Sequence, residues 1–373
     1  MLLKTTVRNI LFYFEFETVS SPLTVTFFMK LLLVTLSLTL VGSCATPIDK
    51  ATIDQLKKSI HFDQAETIDC YAKTITADEL RYHVYQFSSD DFQGRRAGEA
   101  GHHKASKYLQ DFYRSQDIAS PLGANTYYQI IPNTYFNGNI KTSENVIAYI
   151  KGSHIPEEVI IISAHSDHEG YTETEIYNGA DDNGSGTAAI LEIAQAFKAA
   201  EQNGFQPKRS LVFLHFTGEE VGLKGSKFYT QHPVFALKNT VANLNIDMIG
   251  RVDKAHQDHP NYMYLIGADR LSSELHYISE AANAQFTKLD LDYTFNDRKD
   301  RNKYFSRSDQ YNFAKKGIPV IFYFNGVHDD YHQPTDTAEK LNYDLLAKRT
   351  KLIFATAWFL ANSENRITID KSH

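Results

Sequence analysis

From Asn145 onward the chain alternates short, unbroken apolar runs with longer stretches in which apolar residues return every three to four positions. The runs 145–150, 159–164, 210–216, 243–248, 262–266 and 319–325 are rich in branched and aromatic side chains and predict strands. Between them, 185–203 carries Ile190, Ile193, Ala194 and Phe197 on one face and predicts a helix. Shorter helices are predicted over 223–231 and 271–283. The closing helix, 341–361, has Leu345, Leu352, Ala355 and Phe359 on one side, and its Trp358 is expected in the core. Upstream, Thr76-Ala77-Asp78-Glu79 has the chemistry of a helix start, a hydroxyl followed by carboxylates that offset unpaired N–H groups. A further helix is predicted over 101–113. Strands that are apolar throughout must be covered on both faces, so the expected fold is α/β, a mostly parallel mixed sheet between helical layers. No internal repeat or low-complexity linker divides it. One domain over 75–365 with a tail at 366–373 is the simplest organisation.

The first 74 residues follow different rules. Met29-Lys30 and the 11-residue apolar run Leu31–Val41 have the form of a signal peptide, too short to span a bilayer. The run ends in Val41-Gly42-Ser43-Cys44, which resembles a bacterial lipobox, whose cysteine is lipidated and becomes the first mature residue. Segment 29–43 is therefore expected to be removed. Residues 1–28 are expected to be an upstream extension before a start at Met29, and 44–74 a tether with a leading helix. The protein is then exported, periplasmic or at the cell surface, with membrane contact only through a lipid at Cys44. An ordinary secretory signal that happens to contain a cysteine is the alternative.

Composition narrows the chemistry. Among 373 residues only two are cysteines, Cys44 and Cys70, which excludes a disulfide framework and a thiolate zinc site. The net charge of −7 and scattered Lys and Arg give no footprint for nucleic acid. The densest charged stretch, Asp297–Lys303, mixes both signs and is expected to be a solvated loop.

Ligands of open α/β sheets sit beyond the carboxyl ends of the strands. Strand 159–164 is followed there by His165-Ser166-Asp167-His168, and the next helix is preceded by Gly179-Ala180-Asp181-Asp182-Asn183-Gly184-Ser185-Gly186. Strand 210–216 runs into Thr217-Gly218-Glu219-Glu220, strand 243–246 into Asp247, and strand 319–325 into His328-Asp329-Asp330-Tyr331-His332. Imidazoles and carboxylates without thiolates suit zinc, manganese or cobalt, and a carboxylate shared by two ions is the usual arrangement of two-metal hydrolases. Adjacent side chains on an extended segment diverge, so one of Glu219 and Glu220 can bind while the other remains free as a base.

In this order the motifs resemble the co-catalytic zinc exopeptidases, which include bacterial leucine aminopeptidases and glutamate carboxypeptidases. Ser89–Gly98 resembles that family's N-terminal signature, and Ser308-Asp309 with Phe313 and Gly317-Ile318-Pro319 the segment before the last strand. The resemblance implies two zinc ions, peptide substrates and a water-activating base at Glu219. It assigns His165 and Asp247 to one zinc, Glu220 and His332 to the other, and Asp181 as the bridge. It implies that Asp167 orients His165, that Asp181–Asp182 is a cis peptide, and that Tyr331 steadies an oxyanion. His168 and His328 fall outside the pattern, His102 and His103 are expected on a helix surface, and Gln310 stands at the substrate rim where many relatives have histidine. An aminopeptidase is the expected activity. The alternatives are a single-zinc glutaminyl cyclase, a carboxypeptidase, whose cationic group for the substrate carboxylate cannot be placed from sequence, and a non-catalytic binding ectodomain.

Overall fold

The apolar runs assemble into one eight-stranded sheet in the computed structural model, which describes residues 50–124 and 126–371. In chain order the strands are β1 (Tyr128–Ile131), β2 (Ser143–Ile150), β3 (Ile155–His165), β4 (Gly170–Tyr171), β5 (Ile176–Tyr177), β6 (Arg209–Phe216), β7 (Thr240–Ile246), β8 (Tyr262–Ile266), β9 (Asp290–Asp292) and β10 (Val320–Phe324). The main sheet has the order β1-β2-β6-β3-β7-β10-β8-β9, while β4 and β5 form a separate two-stranded ribbon. The four central strands β6, β3, β7 and β10 are mutually parallel. β2 and β8 flank them antiparallel. All four central strands therefore release the chain at the same edge, as expected for a mostly parallel mixed sheet.

The helices are α1 (Lys50–Ser59), α2 (Ala65–Ala72), α3 (Ala77–Phe87), α4 (Ala100–Ser115), α5 (Gly186–Gln202), α6 (Lys224–Gln231), α7 (Ser273–Ala282), α8 (Gln310–Ala314) and α9 (Tyr343–Asn362). Alternation along β3 divides the core between the two faces. Ile160 and Ile162 join the larger cluster with α5 and α9, and Val159 and Ile161 join the smaller one with Tyr229 and Phe313. α9 packs as its periodicity predicts: Leu345, Leu352 and Ala355 are buried, and Trp358 stacks on Phe197 at 5.5 Å. Phe359 lies at the margin, half-buried against Phe62.

Buried arginines fasten α9 at both ends. Arg349 donates to the carbonyls of Ile249, Arg251 and Tyr262, and Arg209 to those of Leu360 and Ser363 and to Glu158. Thr76 caps α3 as expected, its hydroxyl accepting from the Glu79 N–H at 3.2 Å.

Several boundaries differ from the sequence reading. β3 begins at Ile155 rather than 159, with a register shift before Val159 that the mixed composition of 155–158 conceals. β1 was not predicted; it is a short edge strand with Ile130 54% exposed, so its pattern is weak. Among the described residues before 75 there are two helices, and α2 is docked through Ile68, Tyr71 and Ala72. Cys44 and the expected signal segment lie outside the described residues. Within them Cys70 is exposed and free, and no helix is long and apolar enough to cross a membrane.

The start of α9 is tied by Asn342, whose side chain accepts from the Leu345 N–H at 3.0 Å. Asn342→Ala is expected to lower stability by about 1 kcal/mol, read as an earlier denaturant midpoint at unchanged slope; an unmoved midpoint would show that the cap is dispensable.

Candidate metal centre

The parallel register brings the polar residues together. In β3 and β6, His165 lies opposite Phe216, so Thr217–Glu220 emerges beside it. In β3 and β7, Ser163 lies opposite Asn245, and two residues further His165 faces Asp247. Their side chains meet, with His165 Nε2 3.3 Å from Asp247 Oδ1. β10 leads over the same edge to His332.

The loop before α5 supplies the central group, and it is Asp182 rather than Asp181. Asp182 Oδ1 lies 3.1 Å from His165 Nε2, and Asp182 Oδ2 lies 3.1 Å from His332 Nε2. Asp181 points the other way. Its Oδ1 accepts from the Gly250 N–H at 2.7 Å, and its Oδ2 meets His328 Nε2 at 3.1 Å. The cis peptide is likewise Asp182–Asn183, one bond beyond the expected position. The helical pattern does not run through this loop, since Asp182 (φ −102°, ψ 94°) and Asn183 are non-helical. Two neighbouring aspartates therefore diverge in a way that spacing cannot reveal.

The loop is held from three sides. The Asp336 carboxylate accepts from the N–H groups of Asp181 and Asp182. Asn183 bridges to the end of β7 by donating to the Ile246 carbonyl and accepting from Gly186 and Met248 N–H. Arg95, fully buried, donates to the carbonyls of Phe87, Ser166, Asn178 and Gly179. Burial brings its guanidinium down to about 10, against the pull of Asp182 and Asp336. The Ser89–Gly98 signature is thus the bracket that joins the two ligand-bearing loops. Gly94, at φ +64°, passes where a Cβ would lie 2.0 Å from the Gly170 carbonyl oxygen.

Glu219 and Glu220 have different partners, although one oxygen of each lies within 4.8 Å of a His165 nitrogen. Glu220 Oε1 contacts His168 Nδ1 at 2.8 Å and Glu220 Oε2 contacts His332 Nε2 at 3.1 Å. Burial and Asp182 push its carboxyl up, yet the two imidazoles bring it below its usual value. The Glu219 carboxylate, by contrast, lines the open cleft, and no ion pair or hydrogen bond engages it among the described residues. Burial, opposed by His165 and reinforced by Glu220 and Asp247, raises it well above the usual range. Asp182 is held ionised against its burial by His165 and His332. His332 is lowered by burial, but Asp182 and Glu220 bring it up to about 10. Carboxylates outnumber imidazoles here, and the cluster calls for positive charge.

Asp167 acts differently from its expected role. His165 Nδ1 bonds its backbone carbonyl at 3.1 Å, while its carboxylate is 3.8 Å from the ring and instead accepts from the Glu219 N–H at 3.1 Å. Burial raises the Asp167 carboxyl to about 7. Asp247 is steadied by Ser308, whose hydroxyl donates to Oδ2 at 2.6 Å. Tyr331 stacks on His332 at 3.9 Å and lines the cleft; burial and the nearby Asp182 and Glu220 carboxylates keep its phenol protonated.

Two histidines, His168 and His102, and one glutamine depart from the sequence reading, while His328 and His103 follow it. His168, placed outside the pattern, is buried in the cluster with Asp182 and Glu220; its position directly after His165-Ser166-Asp167 was the available signal. His328 contacts Asp181, not the cluster. His102 is fully buried, between Ser143 and Ser166, whereas His103 is half exposed and bonds Glu144. Gln310 is not at the rim; it is buried beneath the sheet edge, bonded to Asn245 and the Phe305 carbonyl.

Four overlapping sets here could each hold a cation, with the donor atoms of each within 4.8 Å of one another: His165 with Asp182 and Asp247, His165 with Glu219 and Glu220, His168 with Asp182 and Glu220, and Glu169 with Glu220 and His332. The donor chemistry of imidazole and carboxylate fits zinc.

Comparison with known proteins identifies the family and the fold. The family model described as Peptidase family M28 matches residues 145–357. A probable leucine aminopeptidase of Arthroderma otae is 32% identical over 212 residues, covering 55% of each chain. The chain spans about half the length of the curated relatives it matches. The LapA aminopeptidase of Legionella pneumophila superposes with a TM-score of 0.63 at 21% identity, covering 82% of this chain and 77% of that one. Glutaminyl cyclase of Bacteroides thetaiotaomicron superposes at 0.59 with 16% identity, covering 76% and 98%. At these identities the superpositions establish the shared fold.

Arg95→Met keeps much of the aliphatic stem but leaves four backbone carbonyls without their donor. It is expected to cost at least about 3 kcal/mol, measured by chemical denaturation. A loss under about 1 kcal/mol would mean the bracket is not needed.

Proposed function

The chain belongs to peptidase family M28, and on that premise we propose that it is a zinc-dependent aminopeptidase with a two-metal centre. The observation that carries this reading is Asp182, whose two carboxylate oxygens face His165 on one side and His332 on the other. His165 and Asp247 would hold one zinc, Glu220 and His332 the other, and Asp182 would be shared. When bound, the ions supply Lewis acidity that acidifies water and polarises a carbonyl.

The protein's own groups do the rest. The cleft beside the cluster is walled by Met248, Tyr304, Phe322, Phe324, Val327 and Tyr331, which suits an apolar residue at the peptide terminus. Glu219 takes the proton of the attacking water on a carboxylate oxygen and passes it to the leaving amine. Its backbone is fixed by Asp167, which aims the side chain into the cleft. Tyr331 remains a hydrogen-bond donor and can meet the oxygen on which negative charge develops. A glutaminyl cyclase-type reading is supported by the fold alone, and a complete pair of ligand sets weighs against its single metal. We further propose that the chain is exported and lipid-anchored at Cys44, on the strength of the apolar run and the small residue before the cysteine.

Leucine p-nitroanilide is expected to be cleaved and its N-acetyl derivative left intact. A chelator should abolish turnover and zinc restore it. Cleavage of the blocked substrate, or full activity after chelation, would overturn the assignment. Glu219→Gln should keep about two zinc ions per chain while kcat falls roughly 10²–10⁴-fold. Asp182→Asn should lose bound zinc, and Asp181→Asn should retain more of it, as read by metal analysis of the purified variants. His168→Ala should weaken zinc retention about 10–100-fold in chelator competition, because it removes the hydrogen bond that orients Glu220.

A further inference from the structure

The cleft has a second chemistry. Its floor is acidic, its wall is apolar, and among its lining residues there is one permanent cation, Arg307. We propose that Arg307 binds a carboxylate of the substrate, so that the enzyme favours substrates with a negative charge close to the scissile bond. This inference rests on the aminopeptidase reading.

Arg307 differs from the other arginines around the site. Arg95, Arg209 and Arg349 are buried and engaged by backbone carbonyls, and Arg251 is paired with Asp330 at 2.9 Å. Arg307 is exposed, has no carboxylate partner among the described residues, and lies over the Tyr304 ring at 5.1 Å. An aromatic platform of this kind restrains a guanidinium while leaving its hydrogen-bonding edge free. Its backbone is anchored on both sides. The Arg307 N–H donates to the Tyr304 carbonyl, and the next residue, Ser308, is buried and bonded to Asp247. The free fork is therefore mounted next to the serine that holds Asp247, in the same cleft as that carboxylate.

The surroundings reinforce it. Beside the Tyr304–Ser306 turn is a hollow lined by Arg298, Lys299, Arg301 and Lys303, none of which is in an ion pair among the described residues, and also by Asp297 and Asp300. The two carboxylates of that loop are turned onto its own backbone. Asp297 accepts from the Lys299 N–H, and Asp300 accepts from the Asn302 and Tyr304 N–H groups. The loop expected to be merely solvated thus shows its cations outward, in a chain whose net charge is −7. Such a local field draws anionic substrates to one side of the cleft.

A carboxylate at this place has two sources, the side chain of an acidic N-terminal residue or the terminal carboxylate of a dipeptide. Two substrate pairs separate them: Glu against Gln p-nitroanilide, and Leu-Gly against Leu-Gly-amide. The zinc-loaded full-length protein and its Arg307→Met and Arg307→Lys variants would be compared by kcat/KM, with zinc content checked for each. The parent is expected to favour the charged member of at least one pair by about tenfold. Arg307→Met should bring that ratio close to one through KM, and Arg307→Lys should restore part of it. The pair that responds identifies the carboxylate. Ratios that are near one in the parent, or that survive Arg307→Met, would overturn the role of Arg307 and leave the aminopeptidase reading standing. Failure to cleave any of the four with zinc present would overturn both.

Discussion

One carboxylate lies between two imidazoles, each 3.1 Å from a different oxygen, and much of the surrounding architecture is explained by the need to keep it there. Asp182 is fully enclosed, and an ionised carboxylate without partners in such a place would be prohibitively costly. Its imidazole partners come from the end of β3 and from the loop after β10, so the fold must hold three chain segments in register, the aspartate's own loop included. Four adjacent parallel strands do this well, because their buried hydrogen-bonded cores fix where each terminus falls.

A second layer of polar contacts carries the precision from the strands to the loops. Asp336 holds the amides ahead of Asp182, Asn183 ties the loop to β7, and Arg95 gathers four carbonyls from the approaches to both ligand-bearing loops. Ser308 and Asp167 do the same for Asp247 and for the backbone of Glu219. None of these groups needs to touch a substrate, yet the placement of those that would is set by them.

The fold was largely legible because it follows from burial. Strands covered on both faces appear as unbroken apolar runs, and α5 and α9 as regular stripes. Segments with partial burial, such as β1 and the start of β3, carry weaker patterns and escaped. The ligand-bearing loops were legible from their position after strands, but individual side-chain directions were not. Asp181 and Asp182 are chemically identical neighbours, and only the loop's dihedral angles decide which one enters the cluster. His168 and His102 illustrate the same point for histidine, since burial in a polar pocket leaves no periodic trace. Gln310 lies under the sheet edge because Asn245, itself buried, needs an acceptor there.

The docking of α2 bears on where the folded body begins. Tyr71 stacks on Trp358, and Lys57 of α1 already pairs with Glu280 of α7. The folded body thus starts well before the regular α/β pattern does. On the proposed attachment at Cys44, the twelve residues 45–56 would separate the lipid from the ion-paired Lys57. A chain attached in that way would be held close to the membrane, and its substrates would have to reach it there.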